Sequence, residues 1–249
     1  MINHSFNSYS KYYNLLYRDK DYKSETDYIL ELLKRFDVTG KDLLEFGSGT
    51  GIHGRLLAEL GYKVTGIERS EEMVKQSMST QGFSCQQGDI CSVKLGRTFD
   101  AVLSLFHVVS YQTANNSVQS LFARAAEHLH PGGVFIFDVW YSPAVLSIKP
   151  KVRVKRISNN SIEITRIAEP KLKPNTNCVD INYNIFVRDL KSGEVEIIDE
   201  THPMRHFSLP ELDLFAKSNG FERLRAEEFM TGNNPSEKTW GVCLVLKKK

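Results

Sequence analysis

The sequence predicts an α/β fold: a seven-stranded, mostly parallel sheet with helices on both faces, plus an antiparallel β-sheet inserted after strand five. Three observations predict it. Apolar runs of strand length alternate with segments of helical period from residue 24 to residue 139. The first of those runs, Leu43 to Phe46, passes directly into the turn Gly47-Ser48-Gly49-Thr50-Gly51. Beyond residue 147 the apolar period shortens from that of a helix to that of a strand.

Each element has its own signal. Ser24 and Asp27 look like a helix start, and Tyr28, Ile29, Leu32, Leu33 and Phe36 follow at helical spacing. After the glycine turn, Leu56, Leu57 and Leu60 mark a second helix that stops at Gly61. Residues 63–67 read as a strand ending at Glu68, and Ser70 caps a helix running through Met73. Residues 83–87 form a third strand, ending in Gly88-Asp89, and residues 99–106 a fourth. Helix 117–129 leads through a Pro131-Gly132-Gly133 turn to a fifth strand, Val134 to Val139. Repeated strand–helix–strand units imply right-handed crossovers and a parallel sheet.

The block 148–207 reads as four antiparallel strands with one buried face, of which Val179, Ile181, Tyr183, Ile185 and Val187 give the clearest alternation. A helix at 208–220 and strands near 221–229 and 239–246 close the chain. The expected organisation is a main domain of residues 1–147 and 208–249 with an N-terminal helical lid, and an inserted subdomain of residues 148–207.

Composition narrows the function. The 249 residues are 41% hydrophobic and 25% charged, which suits a globular chain. The formal charge of +2 argues against a nucleic-acid partner. No apolar run approaches the roughly 20 residues of a membrane span, so no membrane partner is expected. Cys85, Cys91, Cys178 and Cys243 have no C-x-x-C or zinc spacing, so they read as reduced thiols in a cytoplasmic protein with no metal site.

The glycine turn suits a ligand that approaches backbone N–H groups at a helix N-terminus. A dinucleotide fingerprint needs a third small residue where this chain has Ile52, and the Lys-Ser/Thr ending of a phosphate-binding loop is missing. Glu45, just before the turn, would repel a pyrophosphate but welcome an ammonium group. Glu68 at the tip of strand two can accept both hydrogens of a ribose diol. Asp89 can accept from an adenine amino group while Ile90 covers the ring. The ligand read from these residues is a cationic nucleoside rather than NAD or ATP.

The stretches LLEFGSGTG (43–51), VTGIERSEEM (64–73), QGDI (87–90), 99–106 and PGGVFIFD (131–138) together resemble the class I S-adenosylmethionine-dependent methyltransferases. That resemblance implies a Rossmann-like core with S-adenosyl-L-methionine as cofactor. It implies that Glu45, Gly47, Ser48 and Gly49 hold the methionine end, with Leu105 beside it. Glu68 would take the ribose, Asp89 and Ile90 the adenine, and Arg69 and Met73 would flank them.

Tyr9, Tyr12, Tyr13, Tyr17 and Tyr22 supply aromatic faces for a sulfonium. The stretch Tyr13 to Tyr22 resembles the N-terminal lid of the TDP-amino-sugar N,N-dimethyltransferases, as does Trp140-Tyr141-Ser142-Pro143 after strand five. The resemblance implies that Tyr13 lies by the cofactor and acceptor. The site histidine of that branch falls at Tyr111 here, and His107 is the alternative. Trp140 and Tyr141 are expected to wall the acceptor pocket. Lys149, Lys151, Arg153 and Lys155 would share one strand face and, with Arg166, bind a diphosphate; an edge strand guarded by lysines is the plainer alternative.

The expected function is methylation of a small molecule, N-methylation of an amino sugar carried on a nucleotide, with a homodimer implied by the branch. O-methylation of a sugar or metabolite hydroxyl and a non-catalytic cofactor-binding module are the alternatives. The Asp/Asn-Pro-Pro-Tyr/Phe motif of nucleic-acid amino-methylation is missing after strand four, where the chain reads Ser104-Leu105-Phe106-His107.

Overall fold

A computed structural model describes residues 8–249 of the chain. A 3-10 turn (Ser8–Tyr12) and a single helical turn, α1 (Tyr13–Leu16), precede α2 (Tyr22–Arg35). Helix α2 starts two residues before the expected Ser24, because Asp21 is the cap: its Oδ1 accepts the Ser24 N–H at 2.9 Å. Its apolar stripe, Tyr28, Ile29, Leu32 and Leu33, is buried.

The strand–helix alternation follows as β1 (Asp42–Phe46), α3 (Ile52–Glu59), β2 (Lys63–Glu68), α4 (Glu71–Gln76), β3 (Phe83–Gln87), β4 (Phe99–Ser104), α5 (Asn115–Glu127) and β5 (Leu129–Tyr141). The expected Pro131-Gly132-Gly133 turn is absorbed into β5, where the pairing with β4 shifts register between Phe99 and Ala101. Helix α6 (Ser142–Ile148) leads to the inserted strands β6 (Arg153–Ser158), β7 (Ile162–Lys173), β8 (Cys178–Asp189) and β9 (Val195–Phe207). Then α7 (Leu209–Ser218), β10 (Phe221–Glu228) and β11 (Gly241–Lys248) close the chain.

The core order is β3-β2-β1-β4-β5, all parallel, extended by β11 antiparallel to β5 and by β10 outside it. These are the seven expected strands. The order reverses between β1 and β4, so their C-terminal tips diverge and open a crevice. The inserted strands run antiparallel, and β9 joins the core by pairing Trp140 with His206 and Tyr141 with Phe207. The insertion therefore hangs from the tip of β5, beside the mouth of the crevice.

Two apolar layers flank the core sheet. One packs α5 and α7 through Phe122, Phe135, Phe137 and Phe221; the other packs α2 and α3 through Ile29, Leu32, Leu33 and Leu57. A smaller cluster joins Tyr9 and Leu16 to Ile164, Ile185, Val187 and Ile198, so the N-terminal segment lies on the inner face of the insertion. Replacing Phe122, which is fully buried and in ring contact with Phe135, Phe137, Phe215 and Phe221, by Ala should cost about 3–5 kcal/mol in denaturant unfolding.

Candidate active site

The glycine turn folds as its composition demands. Gly47 sits at φ +70, and a Cβ there would come within 2.6 Å of the Val108 methyls. At the base of the turn, Glu45 is 2% exposed, and its Oε2 has no hydrogen-bond partner. Burial, reinforced by the neighbouring Glu68 and opposed by Arg55 and the Gly54 N–H, raises its carboxyl to about 8. A buried carboxylate with a vacant lone pair is the counterpart of an ammonium ligand.

His53 connects this carboxylate to α2. Its Nδ1 lies 3.9 Å from Glu45 Oε1, and its Nε2 lies 2.8 Å from Glu25 Oε2. Glu25 also pairs with Lys20, whose ammonium sits 4.2 Å from the Tyr22 ring centre and 4.5 Å from that of Phe106. These rings already hold a cation by their faces, the property a sulfonium requires.

Glu68, at the tip of β2, is buried, and its two oxygens accept the N–H groups of Gly49 (3.0 Å) and Ser70 (2.7 Å). The Arg69 N–H also bonds this carboxylate, which leaves room for a further hydroxyl donor. Ser48 is buried with its Oγ 3.3 Å from Cys85 Sγ. Met73 is buried, and its Sδ is 3.8 Å from where a Gly49 Cβ would stand, so it borders the turn. Leu105 and Ile90 are also buried, Leu105 against the α2 layer and Ile90 against the α5 layer. Arg69 is exposed, as is Asp89, whose Oδ1 accepts the Cys91 N–H at 2.8 Å.

Opposite the turn, the chain leaves β4 with two successive non-glycine residues in the left-handed region, Phe106 at φ 63 and His107 at φ 62. Such strain persists only where the surroundings enforce it. Here Asp138, 1% exposed near the end of β5, enforces it: its oxygens accept the His107 N–H at 3.2 and 3.1 Å, and Oδ2 lies 2.6 Å from His107 Nδ1. Burial works against ionisation of Asp138, but the His107 charge and hydrogen bonds outweigh it and lower its pKa. Asp138 thus holds the His107 backbone and draws its imidazole close, although Nδ1 makes no hydrogen bond of good geometry.

Tyrosines of the N-terminal segment gather here, with Tyr17 edge-on to Phe106 at 5.2 Å between ring centres. The Tyr13 ring is tilted 47° to that of Tyr17, with 4.7 Å between centres, and burial, with Tyr22, Tyr17 and Tyr111 nearby, holds its phenol well above the ordinary value. Tyr111 is likewise raised by burial, so both stay protonated and serve as hydrogen-bonding groups rather than bases. The Tyr111 hydroxyl lies 3.0 Å from His202 Nδ1, and His202 Nε2 lies 3.1 Å from Glu200 Oε2.

Several expected acceptor contacts fall elsewhere. Trp140 does face this space, 6.2 Å from His107 and 5.5 Å from Trp240. Tyr141 packs against the α5 layer instead, because successive residues of a strand point to opposite faces. Strand β6 begins at Arg153, so Lys149 and Lys151 precede it and the row of four cations does not form. Arg153 is exposed, and Lys155 pairs with Asp19 of the lid at 2.6 Å. Arg166 is engaged by the lid, donating to the Tyr9 and Tyr17 hydroxyls at 2.8 and 3.2 Å. His53, Glu25, His202 and Glu200 escaped the sequence reading. Asp138 was read only as part of a motif, although a lone acid inside the run VFIFDVW is itself a signal.

Comparison with known proteins matches residues 43–133 to the methyltransferase domain family. Over that stretch the chain is similar to a methyltransferase domain. It is 34% identical over 53% of its length to a dTDP-3-amino-3,4,6-trideoxy-alpha-D-glucopyranose N,N-dimethyltransferase of Streptomyces venezuelae, of which it covers 56%. The chain thus spans little more than half of that relative. A putative methyltransferase of Geobacillus is 26% identical over 98% of this chain and all of the relative. The crystal structure of Streptomyces venezuelae DesVI superimposes with a TM-score of 0.82 at 24% identity, over 98% of this chain and 99% of that one. S-adenosylmethionine-bound CalS10, an amino pentose methyltransferase from Micromonospora echinaspora, gives 0.77 at 21% over both full lengths. The fold is that of S-adenosylmethionine-dependent methyltransferases, and Glu45 with the open face of Gly49 fits that cofactor's ammonium end.

The raised Glu45 carboxyl gives two opposed pH effects. Without ligand, the folded state keeps a proton that the unfolded chain releases above the ordinary 4.5, so burying Glu45 costs stability as pH rises from that value toward about 8. The ammonium end of the cofactor needs the ionised form, so cofactor affinity should rise from pH 6 toward 7.5. Glu45→Gln should flatten both trends, raise the melting temperature of the free protein near pH 8, and weaken cofactor binding by roughly 10–100-fold in calorimetry.

Proposed function

We propose that the protein transfers a methyl group from S-adenosylmethionine to the amine of a small acceptor, an amino sugar carried on a nucleotide. The observation that supports this reading most directly is the pairing of two sites across one crevice. The vacant Glu45 carboxylate suits the donor's ammonium, and the His107–Asp138 pair suits an acceptor's proton. The relatives' names point to the same acceptor class: two further relatives are N,N-dimethyltransferases of dTDP-amino sugars.

The bound cofactor supplies an electrophilic methyl group on a cationic sulfur. The chain's residues do the rest. Glu45 holds the ammonium, Glu68 the ribose, and Met73 and Ile90 line the nucleoside's way in. The lid rings of Tyr13, Tyr17 and Tyr22 exclude water and face the positive charge. An amine that arrives protonated must lose a proton before it can attack, and His107, held beside Asp138, is the group that accepts it. Attack is in line, so alignment between lid and turn supplies much of the acceleration.

O-methylation of a sugar hydroxyl is the second reading, and the same histidine–aspartate pair favours it, because a hydroxyl needs a positioned base. A panel of nucleotide amino sugars and their hydroxyl counterparts, read by mass spectrometry, separates the two. Gain of one or two methyl groups on the amines alone is the expected result, and turnover of the hydroxyl compounds alone would reverse the assignment. His107→Gln should lower kcat by roughly 10²–10⁴-fold while leaving the cofactor Kd unchanged.

The insertion is proposed to serve both as acceptor roof and as a homodimer surface. Its inner face carries the lid, whereas its outer face exposes Val154 (52%), Phe186 (36%), Val195 (51%) and Ile197 (61%). Arg156, Arg188, Glu163 and Asp199 lie on that outer face, so both charge signs are present, as a self-complementary two-fold contact requires. Ile197→Lys should convert a dimer to a monomer in analytical ultracentrifugation; a wild-type monomer at micromolar concentration would refute the dimer. Among the described residues no helix is long and apolar enough to cross a membrane. Four free cysteines support a cytoplasmic setting.

A further inference from the structure

Gly241 opens β11 directly opposite Trp140 of β5, so both positions belong to one face of the sheet, and Cys243 opposite Asp138 is the next pair on that face. The His107 imidazole lies on the same face, with Nδ1 2.6 Å from Asp138 and its ring centre 6.2 Å from that of Trp140. The Gly241 carbonyl accepts the Phe229 N–H at 3.0 Å, which brings Phe229, just past β10, to the same spot. The preceding residue, Trp240, is fixed by its carbonyl, which accepts the Tyr141 N–H at 3.0 Å.

Neither the backbone nor crowding requires a glycine at this position. Gly47, Gly49 and Gly51 adopt left-handed backbone, and at Gly54 and Gly66 a Cβ would meet side-chain atoms at 2.3 and 2.5 Å. Gly241 is outside the left-handed region, and its Cβ would stand 3.5 Å from His107 Cε1 and 3.8 Å from Phe229 Cβ, both ordinary contacts. Apart from its chain neighbours, no other atom of the described residues comes within 4 Å of that point. One carbon therefore fits, and a longer side chain would run onto the imidazole. Glycine inside a strand gives up packing and backbone restriction, and it marks a place that something approaches closely. The surroundings are open: the His107 side chain is 23% exposed, and Gly241, Phe229, Trp140 and Trp240 are all partly exposed. The two indoles meet at 63° with 5.5 Å between centres, so they form a corner beside the imidazole rather than a stack.

We infer that Gly241 is a specificity-determining position, which keeps the Cε1 edge of His107 uncovered so that a nitrogen borne on a ring can reach the imidazole. This inference rests on the amine reading above. A nitrogen on a ring carbon has the width of the ring behind it, so it needs clearance beside the imidazole that a slender terminal amine does not. The Trp140–Trp240 corner offers a surface to the apolar face of such a ring. A side chain at position 241 fills the clearance in proportion to its length. The glycine turn is not among the neighbours of that position, so the cofactor side is left as it was.

Two measurements test this. With a dTDP-amino sugar as acceptor, kcat/KM should fall stepwise through Gly241→Ala, Gly241→Val and Gly241→Leu, reaching roughly 30-fold at leucine, while the cofactor Kd in calorimetry stays at the wild-type value. Valine suits a strand, so the series survives a leucine variant that fails to fold. The second measurement needs no acceptor: carbethoxylation of His107 by diethyl pyrocarbonate, followed by peptide mass spectrometry. The wild-type imidazole should react, and Gly241→Val should slow that reaction severalfold while the exposed His130 reacts as before. An unreactive wild-type His107, or equal His107 rates in the two proteins, overturns the inference, as does a kcat/KM indifferent to side-chain size. Loss of cofactor affinity in step with the acceptor effect overturns it too, because the substitution then distorts the whole site. Wild-type protein that methylates no amine refutes the amine reading instead, and the carbethoxylation rates then decide by themselves whether position 241 controls access to the imidazole.

Discussion

The site depends on burying two carboxyl groups side by side at the strand tips. Glu45 and Glu68 stand at the tips of adjacent parallel strands, both nearly inaccessible to water, and they repel each other. Glu68 meets this cost with backbone N–H groups, while Glu45 meets it by holding a proton. A cleft so arranged gains most from a ligand that brings its own positive charge. The lid answers the same need: in the free protein, Lys20 places an ammonium against Glu25 and two aromatic faces at the edge of this space.

The second dependency is mechanical. Two residues in left-handed backbone, Phe106 and His107, redirect the chain after β4, and one buried aspartate on the neighbouring strand holds them there. The parallel pairing of β4 with β5 brings Asp138 within reach of His107. The register of the core sheet, set by apolar packing far from the crevice, therefore fixes the position of the His107 imidazole.

The fold was legible because its signals are local. Glycine turns, strand-length apolar runs and the change of period after residue 147 each act over a few residues, and the α/β order with its antiparallel insertion followed from them. So did the acids at the strand tips, since a strand's end is visible in its sequence. The contacts of the acceptor side were less legible because they join distant elements. His202 lies 91 positions from Tyr111, and Arg166 lies 157 from Tyr9. Where pattern reading failed, the cause was identifiable: a one-residue change of face turned Tyr141 to the core, a later strand start removed Lys149 and Lys151, and a side-chain cap moved the start of α2.

The N-terminal segment is fastened on two sides at once. Asn14 accepts from the Thr50 hydroxyl of the glycine turn at 2.8 Å and Gln76 donates to the Ser10 carbonyl at 3.0 Å, while Tyr12, Arg18 and Asp19 bond the insertion. The space between these attachments opens only when one set of them parts. Opening that space and loosening the N-terminal segment are therefore one event, since each requires the other.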